Sequence, residues 1–364
     1  MGMRQYLQKI ATGPELSKDL SREEARDAAS QILSGQADPV QAAIFLIALR
    51  MKRETMAENM GVLDALLACT QQTTAQVPEV LDIADPYDGF TRGMPAAVFL
   101  PPVLAACGVP TISNGAESVG PKYGATHRKV LKAAGLPVDF KPEEAAKQLA
   151  NPNIGWAYVD QRFACPALHE LVDLRSRIVK RPCLTTLEVL LGSVRGLNKT
   201  PLVTGYVHKP YPPVYTALAR LSGYHSALIV RGVEGGLIPS LNQPAKYFSY
   251  HGDEDDQETR LDPADYGIVS DARAVPLPRD LPPQEVDDDI KGPIDADGLA
   301  IATAQAGLET LEGASGPMRE SLVYGAAIYL CHLGLAENPK KAAARVRSAL
   351  DSGAALQRFT AASA

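Results

Sequence analysis

The amino-acid sequence predicts an α/β protein: a small all-helical N-terminal domain, then a larger α/β domain with a mainly parallel central sheet flanked by helices. Three observations carry this. Up to about residue 71 every patterned segment is helical. From Val80 onward, short apolar runs alternate with segments of helical length, the signature of strands joined by helical crossovers. Each run stops in a loop rich in Gly, Asp, His, Lys or Arg, and the carboxyl ends of parallel strands are where a ligand crevice forms. A chain of 364 residues can bury a large core, and the change of pattern divides it into residues 1–75 and 76–364.

In chain order, Ser21-Arg22-Glu23-Glu24 reads as a capping box, followed by Ala25, Ala28, Ala29, Ile32 and Leu33 at helical spacing and a stop at Gly35. Asp38-Pro39 is an N-cap with proline at N1, opening a helix from Val40 to Met51 that is apolar nearly all round and should be buried. Thr55-Met56-Ala57-Glu58 is a second capping box, for a helix running to about Cys69. Strands are then expected at Val80–Ala84, Gly108–Ile112, Gly155–Val159, Leu202–Val207 and Ser226–Val230. Helices are expected at Pro95–Cys107, His127–Ala134, Pro142–Leu149 and, as one long element, Pro166–Val179. Three more, Asp295–Gly313, Gly316–Leu335 and Asn338–Gly353, are expected to end the chain.

With 46% hydrophobic and 21% charged residues this is ordinary globular composition. The net charge of -6 argues against a generally basic nucleic-acid binder. It conceals a lopsided distribution, because residues 121–210 hold fourteen Lys/Arg against seven Asp/Glu, and the proline-rich segment 251–297 holds four against fifteen. The five cysteines are an odd number, widely spaced and without C-x-x-C, as expected of free thiols in a reducing compartment. The amino terminus shows no apolar signal region, and the most apolar window, Met94–Pro110, is interrupted by Pro95, Pro101 and Pro102 and too short to span a bilayer. A cytoplasmic protein without membrane contact is expected. His251-Gly252-Asp253-Glu254-Asp255-Asp256 lacks metal-ligand spacing and reads as a solvated loop, so no metal site is expected.

The stretch Asp82–Gly124 carries the chemistry. Its first loop is Asp82-Ile83-Ala84-Asp85-Pro86-Tyr87-Asp88-Gly89, and its second is Ser113-Asn114-Gly115-Ala116-Glu117-Ser118-Val119-Gly120-Pro121-Lys122-Tyr123-Gly124. With the capped helices of Leu20–Arg50 and the closing Ala349-Leu350-Asp351-Ser352-Gly353-Ala354, these loops resemble the anthranilate phosphoribosyltransferase family from about Leu20 to Phe359. The resemblance implies that family's fold, a homodimer through the helical domain, and phosphoribosyl transfer in tryptophan biosynthesis. Residue by residue the phosphate chemistry differs. The family's first loop is D-x-x-G-T-G-G-D, whose glycine amides approach pyrophosphate. Here Pro86 removes a donor, Tyr87 adds bulk, and Asp85 and Asp88 bring negative charge. In the second loop Gly115, Ser118, Lys122 and Gly124 match, while the family's lysine, asparagine and arginine are replaced by Ser113, Ala116 and Glu117. Where the family places a magnesium-binding Asp-Glu pair, after the turn Gly232–Gly236, this chain has Leu237-Ile238, which cannot ligate a hard cation. Arg175 falls where the family's arginine meets the anthranilate carboxylate; an ordinary surface arginine on an amphipathic helix is the other reading.

The pattern resembles a subgroup of the family that keeps the fold without the phosphate loops and includes nucleic-acid-binding proteins. Two function classes follow. The first is a repurposed binder of a phosphorylated small molecule or single-stranded nucleic acid. Its ligand-contact candidates are Tyr87, Gly89, Arg92, Asn114, Gly115, Ser118, Lys122, Tyr123, Gly124, Arg175, His208 and Lys209. Arg128, Lys129, Lys132, Arg177, Lys180, Arg181, Arg195 and Lys199 are the additional candidates for nucleic acid, the alternative being a solvated face that balances the acidic segment. The second is a transferase acting on a different phosphorylated or ribosylated substrate through a rebuilt site, in which Asp85, Asp88, Glu117 and Glu234 would be acid, base or metal ligands; within the same class, the family's own anthranilate reaction is the remaining alternative. No cofactor is expected under the first, and magnesium only under the second.

Overall fold

The computed structural model describes residues 2–13, 15–282 and 294–363. Four helices open the chain: α1 (Met3–Ile10), α2 (Arg22–Leu33), α3 (Pro39–Lys52) and α4 (Met56–Cys69). Both capping boxes form, and Asp38 caps the amides of Val40 and Gln41. The carboxylate of Glu58 is fully buried; it also accepts the amide of Leu20 and pairs with Lys52 at 2.8 Å, so one capping residue joins three segments. α2 and α4 cross at Gly61, where a Cβ would stand 2.2 Å from the carbonyl oxygen of Arg22. Gly61→Ala is expected to push the two helices apart and cost ~1–3 kcal/mol. The check is the urea midpoint at unchanged slope, and an unmoved midpoint would show that the crossing relaxes freely.

α3 departs from the sequence expectation. It buries Ala42, Phe45, Leu46 and Leu49, while Val40, Ile44 and Met51 are 66%, 44% and 77% exposed. One face is enough to cover so thin a helical layer. The other face, with Ile10, Leu174 and Ile178, lines an open apolar groove of about 660 Å³.

The strands are β1 (Thr73–Thr74), β2 (Leu81–Ala84), β3 (Thr111–Gly115), β4 (Trp156–Asp160), β5 (Val194–Arg195), β6 (Pro201–Gly205), β7 (Ser226–Val230), β8 (Ala245–His251) and β9 (Gln257–Leu261). Among the described residues, seven make the main sheet in the order β4-β3-β2-β6-β7-β8-β9, and β1 and β5 form a short parallel ribbon beside it. The first five strands of the sheet are parallel, as expected. β8 and β9 are antiparallel and fall outside the sequence expectation, because β9 lies in the acidic stretch and its pattern is polar on both faces. Such a pattern suits an edge strand that must stay soluble. Residues 283–293 of the acidic segment lie outside the described residues.

The remaining helices are α5 (Leu100–Ala106), α6 (His127–Ala133), α7 (Pro142–Ala150), α8 (Gln161–Ala164), α9 (Pro166–His169), α10 (Val172–Ile178), α11 (Leu184–Leu187), α12 (Pro212–Leu221), α13 (Ala296–Leu311), α14 (Pro317–His332), α15 (Pro339–Asp351) and α16 (Ala354–Ala361). The long helix expected over Pro166–Val179 is two short ones. The chain tightens where the amide of Leu171 bonds Leu168 O, three residues back, and it ends at Val179 in the left-handed region. Three closing helices become four, because Gly353, with φ 72°, turns the chain into α16. One core, containing α5, α6 and the closing helices, packs against one side of the sheet. A second core is continuous from the N-terminal helices through Leu168, Leu184 and Leu187 to Leu202 and Ile229 of the sheet. Among the described residues no helix is long and apolar enough to cross a membrane.

Candidate functional site

The parallel register of β2 with β3 and β6 brings the loops at their carboxyl ends together, and the loop after β7 joins them. Gly89, with φ 75°, lies against the backbone of Gly124 and Ala125, where a Cβ would be 2.7 Å from their atoms. A Phe90–Ala125 bridge then ties the first loop to the second. Glycine is needed here for loop-to-loop approach rather than for a ligand.

The carboxylates of this crevice are already engaged. Asp85, buried, accepts the amide of Leu237 at 2.9 Å and lies 2.8 Å from His127 Nε2. Asp88, also buried, is held by Arg181 Nε at 2.9 Å and faces Lys122 Nζ at 3.3 Å. Lys122 donates to Gly89 O at 2.6 Å and stands 3.9 Å from Glu234. Glu234 adopts the left-handed region, φ 55° and ψ 16°, uncommon for a residue with a side chain. Its carboxylate accepts the main-chain amides of Arg92 at 2.8 Å and Thr91 at 3.2 Å. Two converging N–H groups beside a lysine form an anion seat, and the protein's own carboxylate fills it. Beside Glu234 and Phe90 there is a cavity of about 40 Å³, well below the ~300 Å³ at which small-molecule pockets usually begin.

Magnesium does not fit this donor set. Leu237 and Ile238 offer side chains without oxygen, and Glu234 is committed to two amides.

Beneath the loops lie two buried polar networks. Arg175 is 1% exposed and forks onto Glu188 with bonds of 2.7 and 2.9 Å; Gln161 donates to the same carboxylate. It is therefore not a surface arginine, and its two terminal nitrogens already hold a carboxylate. Asp82, 1% exposed inside β2, accepts from Tyr224 Oη at 2.7 Å and from Asn114 Nδ2 at 2.9 Å, and Ser193 Oγ donates to Asn114. Burial pushes the Asp82 carboxyl up to about 6 against these two hydrogen bonds and the nearby Arg195. Sequence reasoning did not single out His127, Glu188 or Tyr224. Asp82 did carry a signal, an acid within the apolar run Val80–Ala84.

Several basic candidates turn inward. Arg128 is buried and donates to Glu117, Asp139 and Val138 O, so Glu117 is likewise paired. Arg181 holds Asp88, Arg195 stacks on Tyr224 at 4.1 Å and Lys129 pairs with Asp297, whereas Arg177 stays exposed in a surface pair with Asp173. Lys132, Lys180, Lys199, Arg92, His208 and Lys209 are exposed, while Tyr87 is buried and cannot stack on a base. Asn114 and Gly115 lie within β3; Ser118 is half-buried and Tyr123 half-buried in the following loop.

Residues 4–69 match the model of a glycosyl transferase family, helical bundle domain. An anthranilate phosphoribosyltransferase from Rhodopseudomonas palustris (strain HaA2) is 27% identical over 353 residues, 96% of this chain and 94% of that protein. Among solved structures, anthranilate phosphoribosyltransferase from Thermus thermophilus superposes with a TM-score of 0.74 at 18% identity, covering 99% of this chain and 98% of that one. The Saccharomyces cerevisiae enzyme in complex with PRPP and Mg gives 0.73 at 18%, covering 98% and 96%.

Proposed function

We propose that this chain, built on the fold of the anthranilate phosphoribosyltransferases and similar to them along nearly its whole length, is a ligand-binding relative that does not carry out their transfer reaction. The observation that carries the reading is Glu234 seated on the amides of Thr91 and Arg92. In phosphoribosyl transfer, donors and metal must absorb charge as pyrophosphate leaves, and losing one such donor can cost ~10² to 10³ in rate. Here amides, Lys122 and Arg181 face internal carboxylates instead. The ligand in this reading is a phosphorylated small molecule whose phosphate displaces the Glu234 carboxylate, opening the seat beyond the adjoining cavity of about 40 Å³, with Lys122 and the exposed Arg92 beside it. Pairing of two copies through the open face of α3 belongs to the same reading.

A second reading, an active phosphoribosyltransferase, is favoured by the end-to-end similarity to proteins named for that activity. One experiment separates the two. Anthranilate, phosphoribosyl pyrophosphate and magnesium are supplied to the full chain, and pyrophosphate binding is titrated for the wild type and for Glu234→Ala. The expected result is no turnover, together with a gain of about tenfold or more in pyrophosphate affinity for the variant, because two amide donors lose their internal partner. Turnover by the wild type would establish the second reading; equal affinities would sink the seat. A parallel titration with short single-stranded DNA at two salt concentrations tests the nucleic-acid alternative, whose binding would fall steeply with salt.

A further inference from the structure

Outside the crevice, two thiols from distant parts of the chain meet. Cys69 is the last residue of α4, and Cys165 is the residue from which α9 starts. They are 96 positions apart, and their sulfurs lie 3.5 Å from each other. The backbone beside them is already joined, since the amide of Gln71 donates to Ala164 O at 2.7 Å. Cys165 is fully buried, while Cys69 is partly exposed and gives solvent a way to the pair.

The two sulfurs are chemically unequal. The contact with Cys69, the first cause, and the Leu168 amide hold the Cys165 thiol down at about 7, while Cys69 Sγ also donates to Leu66 O at 3.2 Å. The contact between the two sulfurs, with burial, pushes Cys69 up. Cys107, Cys183 and Cys331 are all raised by burial. A thiolate in contact with a second thiol is the arrangement that oxidises to a disulfide, since the thiolate is the nucleophile and its partner resolves the intermediate.

We propose that Cys69 and Cys165 are a reversible oxidation site that forms a disulfide with peroxide and so staples the end of α4 to the start of α9. The pair's thiolate attacks one peroxide oxygen; the O–O bond breaks, hydroxide leaves and takes up a proton, and a sulfenic acid remains. The second sulfur attacks the sulfenic sulfur, its proton leaving with the departing hydroxyl as water. Two thiols and one hydrogen peroxide become one disulfide and two waters. Closing the sulfurs from contact to the ~2.05 Å of a bond requires rotation of the two side chains. The staple fixes a long loop and joins the N-terminal helices to the segment that follows β4.

The test treats the full-length protein with hydrogen peroxide near pH 7, followed by thiol counting after denaturation and peptide mapping without reductant. The expected result is loss of two thiols, recovery of a Cys69–Cys165 cross-linked peptide, and a rise of about 5 °C or more in melting temperature that dithiothreitol reverses. Cys69→Ser and Cys165→Ser should each abolish all three effects, and Cys331→Ser should abolish none. Cys69 is partly exposed, so its variant remains informative if Cys165→Ser fails to fold. The proposal is overturned if peroxide leaves the thiol count unchanged, carries Cys165 to the sulfinic acid without a cross-link, or links Cys69 to a second molecule.

Discussion

Replacing Glu188 with alanine is expected to destabilise the protein by about 3–5 kcal/mol, among the largest effects of any single substitution here. Glu188 is fully buried and accepts both terminal nitrogens of Arg175 as well as Gln161 Nε2. Its removal leaves a guanidinium in the interior with its charge uncompensated, and Arg175 Nε already has no partner among the described residues. Desolvation rather than lost attraction sets the cost, so the double variant Arg175→Met/Glu188→Leu should be much less damaging than either Arg175→Ala or Glu188→Ala. Urea unfolding of Arg175→Met, Glu188→Leu and the double variant gives the coupling directly. A cost below about 1 kcal/mol for Glu188→Ala would mean that water reaches the pair.

Asp82 gives the second large effect, and it depends on pH. The folded protein holds its carboxyl proton up to about pH 6, whereas the unfolded value is 3.8. Between these limits the folded state binds more protons than the unfolded one, so this group's contribution is fully present below 3.8 and is lost as pH rises to 6. The loss is about 3 kcal/mol at the conversion of 1.36 kcal/mol per unit. His332, lowered by burial to about 3, and His169, also lowered by burial, act in the opposite direction over the same range. The observable is therefore the difference between wild type and Asp82→Asn, in which the histidine contributions cancel. The stability of wild type relative to the variant is expected to fall from about pH 4 to about pH 6.5 and then level off. A constant difference would place the Asp82 titration in its ordinary range.

Much of the fold was legible because its signals are local. Ser21, Asp38 and Thr55 cap their helices through bonds that span only a few residues, and each cap sits where its motif lies. The five parallel strands were legible as apolar runs, because strands buried on both faces need no alternation. β9 was not, since its Gln257-Glu258-Thr259-Arg260 has no buried face until Leu261. The crevice was located by its loops, yet its internal pairing was hidden. Arg175 and Glu188 are thirteen residues apart on different short helices, and Glu234 meets Thr91 from 143 positions away. Partners brought together only by tertiary packing leave no spacing to read. The basic candidates from Arg128 to Arg195 illustrate the same gap, because a charge count cannot tell an exposed arginine from one with three acceptors inside the molecule.

On the proposed reading an anion enters the seat formed by the Thr91 and Arg92 amides, and selectivity follows from the geometry. A carboxylate attached to the same chain competes at an effective concentration of millimolar or above, whatever the solution contains. Any incoming anion must displace this tethered competitor, so its apparent affinity is reduced by the fraction of time the seat stands open. On that reading a monatomic anion such as chloride, which offers a single contact, does not displace the Glu234 carboxylate. Only a species that brings several contacts at once, replacing Glu234 on both amides while also engaging Lys122, crosses the threshold. On the proposed ligand-binding reading, the occupied seat thus works as a filter for valence, set by the chain itself.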